Sequence, residues 1–573
     1  MTDHTEAYQA LSKLRKQQQQ EGVLPHWFKS AGYDLFVKSY LHEATNWNEQ
    51  IARICDTAAK FAPKYLPENP FGKTWSAVFQ YLVNHNYMVL PTPTLANTGT
   101  SRGLSVSCSG QYIGDSIDSF YSNLHESAVL SKLGFGTSGY FGDIRYRGSP
   151  ISSGGVASGV YPVLEDYWTM ANKVSQSGVR RGSFAGYIPI SHADFTEVVH
   201  NVKANPDGKH LGINIGEQEA YDIENHKSEL LVKNFQKLLE LRMTGRGYIA
   251  MQDNINNTQP EMYKVRGLSN KSQGLCSEIC LHQDDEHTYS CILLSMNAVT
   301  YDQWKNTKAV FFAQVFLDCM VSEFIHSAEN INGMEKIIRH TKKGRAVGLG
   351  ITGLHTYMQS QNMVFGEWDS MMFNRDIYKY LNDESINASK WLAEQLGEPE
   401  WCVGTGLRNT HRTAQMPNKS SSLIFGQVSE GINPITGNVF NQRVSTGEVF
   451  RINPEFIKLL RKYNKFTDDV LASVSAFNGS CQHLDFLSEH DKAVFRTAFE
   501  IPQHDVINMA EQRQPFIDQS QSLNLFLPQN ATAKYVAELH IRAIQSKLLK
   551  NLYYINTVNA DYKILESCSA CAS

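Results

Sequence analysis

The chain has 573 residues, enough for one large core or two to three smaller ones. Hydrophobic residues make up 42% and charged residues 19%, with a formal net charge of −4, which argues against nucleic acids and anionic membranes as partners. The sequence has no run of about 18 apolar residues and no signal peptide, so we expect a cytoplasmic protein. Ten cysteines are too sparse for a disulfide scaffold and predict buried thiols, ligands or redox catalysts.

Residues 1–88 are predicted to form a helical N-terminal region, because apolar positions recur there at helical spacing. Residues 89–557 alternate between Gly-rich turns, short apolar runs and helical stretches, which predicts an α/β domain. Residues 558–573 contain few large apolar side chains and are predicted to form a flexible tail. The predicted strands are YFGDIRY (140–146), GSFAGYIPI (182–190), LGINI (211–215), GYIAMQ (247–252), AVGLGI (346–351), SSLIF (421–425), SLNLFL (522–527) and LYYIN (552–556).

Two segments, Gly134–Gly139 and Gly348–Gly353, match the dinucleotide-binding pattern G-x-G-x-x-G. The first follows a helical run and leads into a strand, which reverses the required order. The second follows a strand, but only about ten residues separate it from the next candidate strand, far short of a βαβ unit of roughly 30 residues. We therefore interpret neither segment as an NAD site.

Two further patterns involve metal-ligand residue types. Glu323 and His326 have the E-x-x-H spacing of di-iron bundles, but a di-iron site needs two such pairs and two further acids, so we predict an ordinary helix face and no metal in this chain. Cys568 and Cys571 form a C-x-x-C close to the C-terminus. No further cysteine or histidine lies in the tail to complete a zinc knuckle, so this pair is suited to thiol–disulfide exchange.

The segment Gly274–Ile279, GLCSEI, resembles the finger-loop signature of ribonucleotide reductase large subunits, in which a cysteine and a glutamate lie two residues apart. Other segments resemble the same family in its usual order, and the resemblance, to class I enzymes in particular, covers roughly residues 20–573. It implies a ten-stranded α/β barrel of two antiparallel halves, each of five parallel strands, with the radical cysteine on a central loop. The other matching segments are SCILLSMNA (290–298), RAVGLGITGLHTYM (345–358), MPNKSSSLIFGQVSEGINPITGNVFNQRV (416–444), FIDQSQSLNLF (516–526) and NLYYINT (551–557).

The resemblance also implies catalytic roles in the reduction of a ribonucleoside diphosphate. Cys276 would be the thiyl radical that takes the 3′ hydrogen of the ribose. Glu278 would accept the 3′-hydroxyl proton as general base. Cys108 and Cys291 would be the reducing pair that protonates and expels the 2′-hydroxyl and closes to a redox-active disulfide, which requires Cα atoms within about 7 Å.

Radical and electrons would both come from outside the barrel. Adjacent tyrosines in a strand by themselves indicate one buried and one surface ring. The resemblance implies more: Tyr554 would receive the radical from a small subunit, whose metal cofactor generates it, and Tyr553 would pass it to Cys276. Cys568 and Cys571 would carry electrons from thioredoxin or glutaredoxin, since the 14 residues from Tyr554 to Cys568 span at most about 46–50 Å.

The resemblance further implies a homodimer with two nucleotide sites and no covalently bound cofactor in this chain. The substrate site would include Thr92, Ser107, Gly274, Pro417, Asn418, Lys419, Ser420 and Ser421. A specificity site at the dimer edge would bind a deoxynucleotide or ATP effector through Asp115, Ser116, Ile117, Arg145, Gln176, Arg180 and Arg181. The last three lie in the loop 175–183, which would carry effector identity to the substrate base.

Several features separate this chain from its relatives. Only about 20 residues precede the matching region, so we expect no N-terminal ATP-cone. Gly274 stands where the family has a sugar-binding asparagine, and Gln273, Asn270 or a water is expected to replace it.

The triplet Leu275-Cys276-Ser277 differs from the Pro-Cys-Gly of class II enzymes, and no glycyl-radical motif precedes the C-terminus. An adenosylcobalamin-dependent class II enzyme and a non-catalytic paralogue remain as alternatives.

Overall fold

The structure is a computed structural model that describes residues 2–176, 181–444, 447–528 and 530–557. Its N-terminal part is helical, as predicted, and packs on the rest through a cluster of aromatic rings. The ring of Trp47 lies 4.9 Å from that of Phe28 and 5.7 Å from that of Phe425. The helices of this part are α1 (Thr2–Gln20), α2 (Ser30–Leu35), which continues as a π-helical turn (Phe36–Tyr40), α3 (Trp47–Ala59), α4 (Trp75–Asn84) and α5 (Thr92–Asn97).

The strands within the described residues form one large sheet and two small ones. They are β1 (Met88–Val89), β2 (Cys108–Tyr112), β3 (Gly136–Tyr140), β4 (Phe184–Pro189), β5 (His210–Ile215), β6 (Tyr248–Met251), β7 (Tyr289–Asn297), β8 (Val347–Thr352), β9 (Val439–Val444), β10 (Gly447–Ile452), β11 (Leu525–Leu527), β12 (Asn551–Leu552) and β13 (Ile555–Thr557).

Most of the remaining helices connect the strands of the large sheet or follow them in the chain. They are α6 (Ile117–Lys132), α7 (Val160–Lys173), α8 (Phe195–Ala204), α9 (Glu217–Glu224), α10 (Glu229–Arg242), α11 (Gln252–Asn257), α12 (Glu261–Lys264), α13 (Tyr301–Trp304), α14 (Ala309–Ala328), α15 (Glu335–Gly344), α16 (Leu354–Ser360), α17 (Trp368–Leu396), α18 (Lys419–Ile424), α19 (Pro454–Lys462), α20 (Asp468–Ala476), α21 (Glu489–Val494), α22 (Gln503–Arg513) and α23 (Ala533–Ile544).

The first half of the large sheet consists of β2 to β6 in sequence order, each parallel to the next. Parallel neighbours need crossover connections, and α6, α7, α8 and the pair α9–α10 supply them. Because helices cover one face and the barrel interior covers the other, these strands are almost entirely buried.

The second half starts with β7, which runs parallel to β8. Beyond β8 the parallel pairing continues through two isolated bridges, one from Leu349 to Thr413 and one from Gln415 to Gln521. Strand β11 pairs with β13, also in parallel. The two halves meet antiparallel at both edges, at β2–β7 and at β6–β12. This closure confirms the predicted α/β barrel of two antiparallel halves.

Two strand predictions were wrong. The strand predicted at 140–146 lies earlier, since β3 ends at Tyr140 and residues 141–146 form turns and irregular backbone. The segment 421–425 is not a strand but most of α18, which follows Asn418 in a left-handed conformation (φ 58°). A short apolar run does not reveal its own periodicity, so tertiary contacts decide between strand and helix.

The glycines of Gly348–Gly353 serve strand packing. Gly348 and Gly350 lie within β8. A Cβ atom at Gly350 would lie 2.6 Å from the carbonyl oxygen of Ala414, and one at Gly348 would lie 2.8 Å from the Ala414 Cβ. Only glycine allows so close an approach of the neighbouring segment, which accounts for this motif without a bound pyrophosphate.

Helix α14 is long and apolar enough to cross a membrane by length and composition, but 83% of its apolar window is buried inside the fold. It is therefore a core helix. Its Glu323 accepts a hydrogen bond from Ser327 at 2.9 Å, and the His326 ring lies 5.8 Å from that of Phe61. These contacts fit the predicted ordinary helix face.

We predict that Gly350→Ala lowers the free energy of unfolding by about 1–3 kcal/mol, because the new methyl group would overlap the backbone of Ala414. Urea unfolding followed by circular dichroism measures this. Gly114→Ala is the matched control, since a Cβ there meets only side-chain atoms at 3.3 Å or more. Equal free energies of unfolding for Gly350→Ala and Gly114→Ala would contradict the packing argument.

Candidate active site

The segment 274–280, the finger loop, is hydrogen-bonded to strands of both halves of the barrel. Tyr187 on β4 donates its hydroxyl to the carbonyl of Gly274 at 3.2 Å, and Asn551 on β12 donates to the carbonyl of Ser277. From the second half, Ser522 donates to the carbonyl of Cys276 at 2.7 Å. The loop therefore runs through the barrel interior, and its residues are buried.

Cys108 and Cys291 face each other across the seam between the two halves. They are Cα partners in the antiparallel register of β2 with β7, and both are buried thiols. Directly opposed residues of antiparallel strands have Cα atoms about 4.5–5.5 Å apart, inside the range that a disulfide spans. The register thus satisfies the distance condition for this pair.

The Gln519 side chain links the Cys291 thiol to the finger loop. Its Nε2 donates to Cys291 Sγ at 3.3 Å and to the carbonyl of Val347 at 3.1 Å, while its Oε1 accepts the N–H of Cys280 at 3.2 Å. Burial raises the pKa of Cys291 well above its usual range, and the Gln519 hydrogen bond opposes this only in part. Cys291 is therefore protonated at neutral pH and able to donate a proton.

Glu278 has the properties of a general base that titrates near neutrality. It is buried, with 1% of its surface exposed. Burial raises its pKa to about 7, and a long hydrogen bond from Ser522, at 3.5 Å, lowers it only partly. Proton transfer is efficient when the pKa of the catalytic group is close to the working pH.

Tyr553 and Tyr554 lie against the finger loop. Their ring centroids are 4.1 Å apart, and both rings pack in one cluster with Cys276. Tyr553 is buried, whereas Tyr554 is only partly buried. The structure thus places a surface-facing ring, a buried ring and the finger-loop cysteine in one contiguous group.

A third tyrosine, which the sequence analysis missed, joins this group. Tyr248 on β6 has its ring 4.8 Å from that of Tyr553 and donates its hydroxyl to Tyr554 Oη at 2.9 Å. His210 Nδ1 lies 2.8 Å from Tyr248 Oη, and burial lowers the pKa of His210 to about 3, so the imidazole is neutral. An aromatic residue in a buried strand looks like any core residue in the sequence, so no signal singled out Tyr248.

Gly274 lies beside the cysteine pair. A Cβ there would lie 3.8 Å from Cys108 Cβ and 3.2 Å from Ile279 Cβ. The neighbouring Gln273 is fully buried and donates its Nε2 to Cys280 Sγ at 3.2 Å. Gln273 therefore faces the interior, not solvent, and its contact with a ribose stays a prediction.

The predicted substrate-binding residues other than Gly274 lie on three segments. Thr92 begins α5, Ser107 precedes β2, and residues 417–421 span the start of α18. Asn418 donates its Nδ2 to Ser295 Oγ on β7 at 2.7 Å, which fixes this turn next to the second half of the barrel. The contacts of these residues with a nucleotide stay predictions.

The predicted effector residues separate into two places. Arg145 pairs with Asp115 at 2.6 Å, at the start of α6, where Ser116 is the N-cap and Ile117 is 67% exposed. Gln176 lies at the other end of α6 instead, where its Nε2 donates to Asn97 Oδ1 at 2.9 Å. Arg181 is exposed.

The predictions for Cys568, Cys571 and Arg180 fall outside the described residues.

Comparison with known proteins identifies the family. The sequence matches the family described as "Ribonucleotide reductase, barrel domain" over residues 106–223, 216–402 and 400–555, so the chain belongs to the ribonucleotide reductase family. Within the family it is similar to class I large subunits, as predicted. The alpha subunit of the Actinobacillus ureae class Id enzyme superposes with a TM-score of 0.85 at 33% identity, covering 93% of this chain and 98% of that chain.

Two named relatives have the same kind of description. The ribonucleoside-diphosphate reductase large subunit of Invertebrate iridescent virus 3 is 27% identical, covering 86% of this chain and 91% of that protein. The large subunit of Caenorhabditis elegans is 26% identical, covering 84% of this chain and 71% of that protein.

We predict that mild oxidation of a Cys568→Ser, Cys571→Ser background forms one intramolecular disulfide, between Cys108 and Cys291, because the strand register holds them face to face. Peptide mass spectrometry after alkylation identifies the pair. The buried thiols Cys319 and Cys481 are internal controls that should stay reduced. A disulfide that joins Cys276 or Cys280 instead would contradict the assignment.

Proposed function

We propose that this chain is the catalytic large subunit of a class I ribonucleotide reductase, which reduces ribonucleoside diphosphates to 2′-deoxyribonucleoside diphosphates. The observation that carries the proposal is that the buried finger loop with Cys276 and Glu278 lies between two groups: it packs against the adjacent tyrosines on one side and against the facing Cys108–Cys291 pair on the other. The names of the relatives support the same substrate class.

The reaction balances with these groups alone. The Cys276 thiyl radical takes the 3′ hydrogen atom of the ribose, and Glu278 takes the 3′-hydroxyl proton. One thiol of the Cys108–Cys291 pair protonates the 2′-hydroxyl, which leaves as water. The pair then supplies the electrons and the second hydrogen and closes to a disulfide. Glu278 returns its proton to the 3′-oxygen, and Cys276 returns the hydrogen atom to C3′.

Tyr554 and Tyr553 would carry the radical to Cys276 from a small subunit whose metal cofactor supplies the oxidising equivalent. The partly buried position of Tyr554 supports this, because a surface-facing ring can meet a partner protein and the buried Tyr553 ring cannot. The adjacent tyrosine pair therefore favours class I over the adenosylcobalamin-dependent alternative.

We infer that Cys568 and Cys571 reduce the Cys108–Cys291 disulfide after each turnover and are themselves reduced by thioredoxin or glutaredoxin. The burial of the cysteine pair supports this role, since a bulky reductase has no direct access to either thiol.

A homodimer with an effector site at the start of α6 is also part of the proposal. Four large apolar side chains are exposed near the Arg145–Asp115 pair, and a dimer interface at this edge would cover them. They are Ile117 at 67%, Tyr121 at 55%, Tyr146 at 53% and Val156 at 65% of their surface.

The deciding experiment measures CDP reduction by the full chain with a dithiol and either a class I small subunit or adenosylcobalamin. We predict activity only with the small subunit, and loss of multiple turnover in Tyr553→Phe and Tyr554→Phe, because phenylalanine keeps the packing but cannot carry the radical. Cys276→Ser should be inactive as well. Tyr535→Phe, on α23 and outside the tyrosine group, should retain activity. Turnover with adenosylcobalamin alone would assign class II.

We predict that kcat/KM falls about tenfold per pH unit below a midpoint near pH 7, because only the ionised Glu278 accepts a proton and its pKa is raised to about 7. Above that pH the contribution of Glu278 levels off. Steady-state rates between pH 5.5 and 8.5 measure the profile. Glu278→Gln should lose most activity, and its residual kcat/KM should no longer fall at low pH. If the fall at low pH persists in this variant, another group is the general base.

A further inference from the structure

Three metal-ligating side chains converge on the connection between the finger loop and β7. His282, Asp284 and His287 each offer one ligand atom, and these atoms lie within 4.8 Å of one another. His282 Nε2 is 2.9 Å from Asp284 Oδ2, and His287 Nδ1 is 2.8 Å from Asp284 Oδ1. Nothing in the proposed reductase chemistry uses these residues.

The backbone fixes their spacing. The N–H of Asp284 donates to the carbonyl of His287 at 3.2 Å, and the N–H of His287 donates back at 3.3 Å. Asp284 Oδ1 also accepts the N–H of Glu286 at 2.9 Å, which closes the turn. Asp284 and His287 are therefore held together by a tight turn, and His282, which precedes the turn, faces Asp284.

The orientation of His282 is that of a metal ligand. Its Nδ1 lies 2.9 Å from the carbonyl oxygen and 3.2 Å from the backbone nitrogen of Ser269, and its Nε2 faces Asp284. In the tautomer that donates to the Ser269 carbonyl, the Nε2 lone pair faces Asp284. Histidines that bind metals characteristically donate their other ring N–H to a carbonyl or a carboxylate, which fixes the tautomer and the ring direction.

Two neighbouring imidazoles have nitrogen atoms that are buried without a hydrogen-bond partner among the described residues. They are Nε2 of His287 and both ring nitrogens of His340 on α15. The rings of His282, His287 and His340 all lie 5.0–5.9 Å from the ring of Trp401. Buried polar atoms are nearly always paired, so the buried side of this histidine cluster is a second polar region next to the three converging side chains.

The three side chains are open to solvent on one side. The Asp284 side chain is 44% exposed, whereas those of His282 and His287 are 9% and 12% exposed. An ion from solvent can therefore reach a carboxylate that lies between two largely buried imidazoles.

We propose that His282, Asp284 and His287 bind a divalent transition-metal ion of the zinc type. Two imidazoles and one carboxylate are a donor set that such borderline ions prefer in proteins. The site lies four residues after Glu278 and four before Cys291. A bound ion therefore restricts the motion of the segment that connects the general base Glu278 to Cys291 of the reducing pair.

The test measures metal binding by the full chain with Cys568→Ser and Cys571→Ser, so that these thiols cannot act as ligands. After treatment with a chelator, the protein is titrated with Co²⁺, followed by its visible absorption, and then with Zn²⁺ as competitor. We expect one equivalent of Co²⁺, displaced by Zn²⁺, and a binding constant about tenfold or more weaker in His282→Ala and in His287→Ala.

Two further variants make the result decisive. Asp284→Asn keeps an acceptor oxygen for the turn but removes the charge. This variant should therefore fold normally and bind the ion with lower affinity than the parent chain. His42→Ala is the matched control, because His42 and Glu43 form an imidazole–carboxylate pair, 3.4 Å apart, on an exposed surface. Its binding constant should be unchanged.

The absence of a Co²⁺ spectrum, or equal affinity in the His282, Asp284 and His287 variants and the parent chain, would overturn the proposal. Asp284 would then serve only as the hydrogen-bond acceptor of the turn. Because the readout is metal affinity and not nucleotide reduction, this outcome is independent of the proposed reductase activity.

Discussion

The antiparallel seam between β2 and β7 is the constraint on which the site depends. It joins two parallel half-barrels that run in opposite directions, and its register sets Cys108 directly opposite Cys291. A shift of one residue would turn one of the two side chains to the other face of the sheet, because side chains alternate along a strand. Barrel closure and the reducing pair are thus consequences of the same hydrogen-bonded ladder.

The interior that this seam encloses is unusually polar for a barrel core, and its polar groups are connected. Gln519 binds the Cys291 thiol, the backbone of β8 and the finger loop at once, and Ser522 donates to the carbonyl of Cys276. A buried network of this kind specifies one arrangement, because each unmade hydrogen bond costs more in the interior than in water. The same dry surroundings raise the pKa of Glu278 toward neutrality. Rigidity and chemical reactivity therefore have one physical origin here.

Strands with strong apolar patterns, such as β4, β5, β6 and β8, could be predicted from the sequence. Strand β2 could not, because its sequence CSGQY has almost no apolar signal and it forms only between β3 and β7. The run SSLIF was assigned to a strand, whereas the left-handed Asn418 before it and the contacts around it make it a helix. The pattern H-x-D-x-x-H at 282–287 gave no signal in the sequence, since its three side chains converge only through the turn at Asp284–His287.

The sequence by itself determined the family, the helical N-terminal region, the α/β class and the identity of the candidate cysteines, glutamate and tyrosines, because these depend on local patterns and short motifs. Only the tertiary structure decided which of these residues meet. The pairing of Cys108 with Cys291, the placement of Tyr248 and His210 beside Tyr554, and the reach of Gln519 across the barrel all join segments far apart in the chain. Such contacts are fixed by strand register and barrel closure, which no local window of the sequence contains.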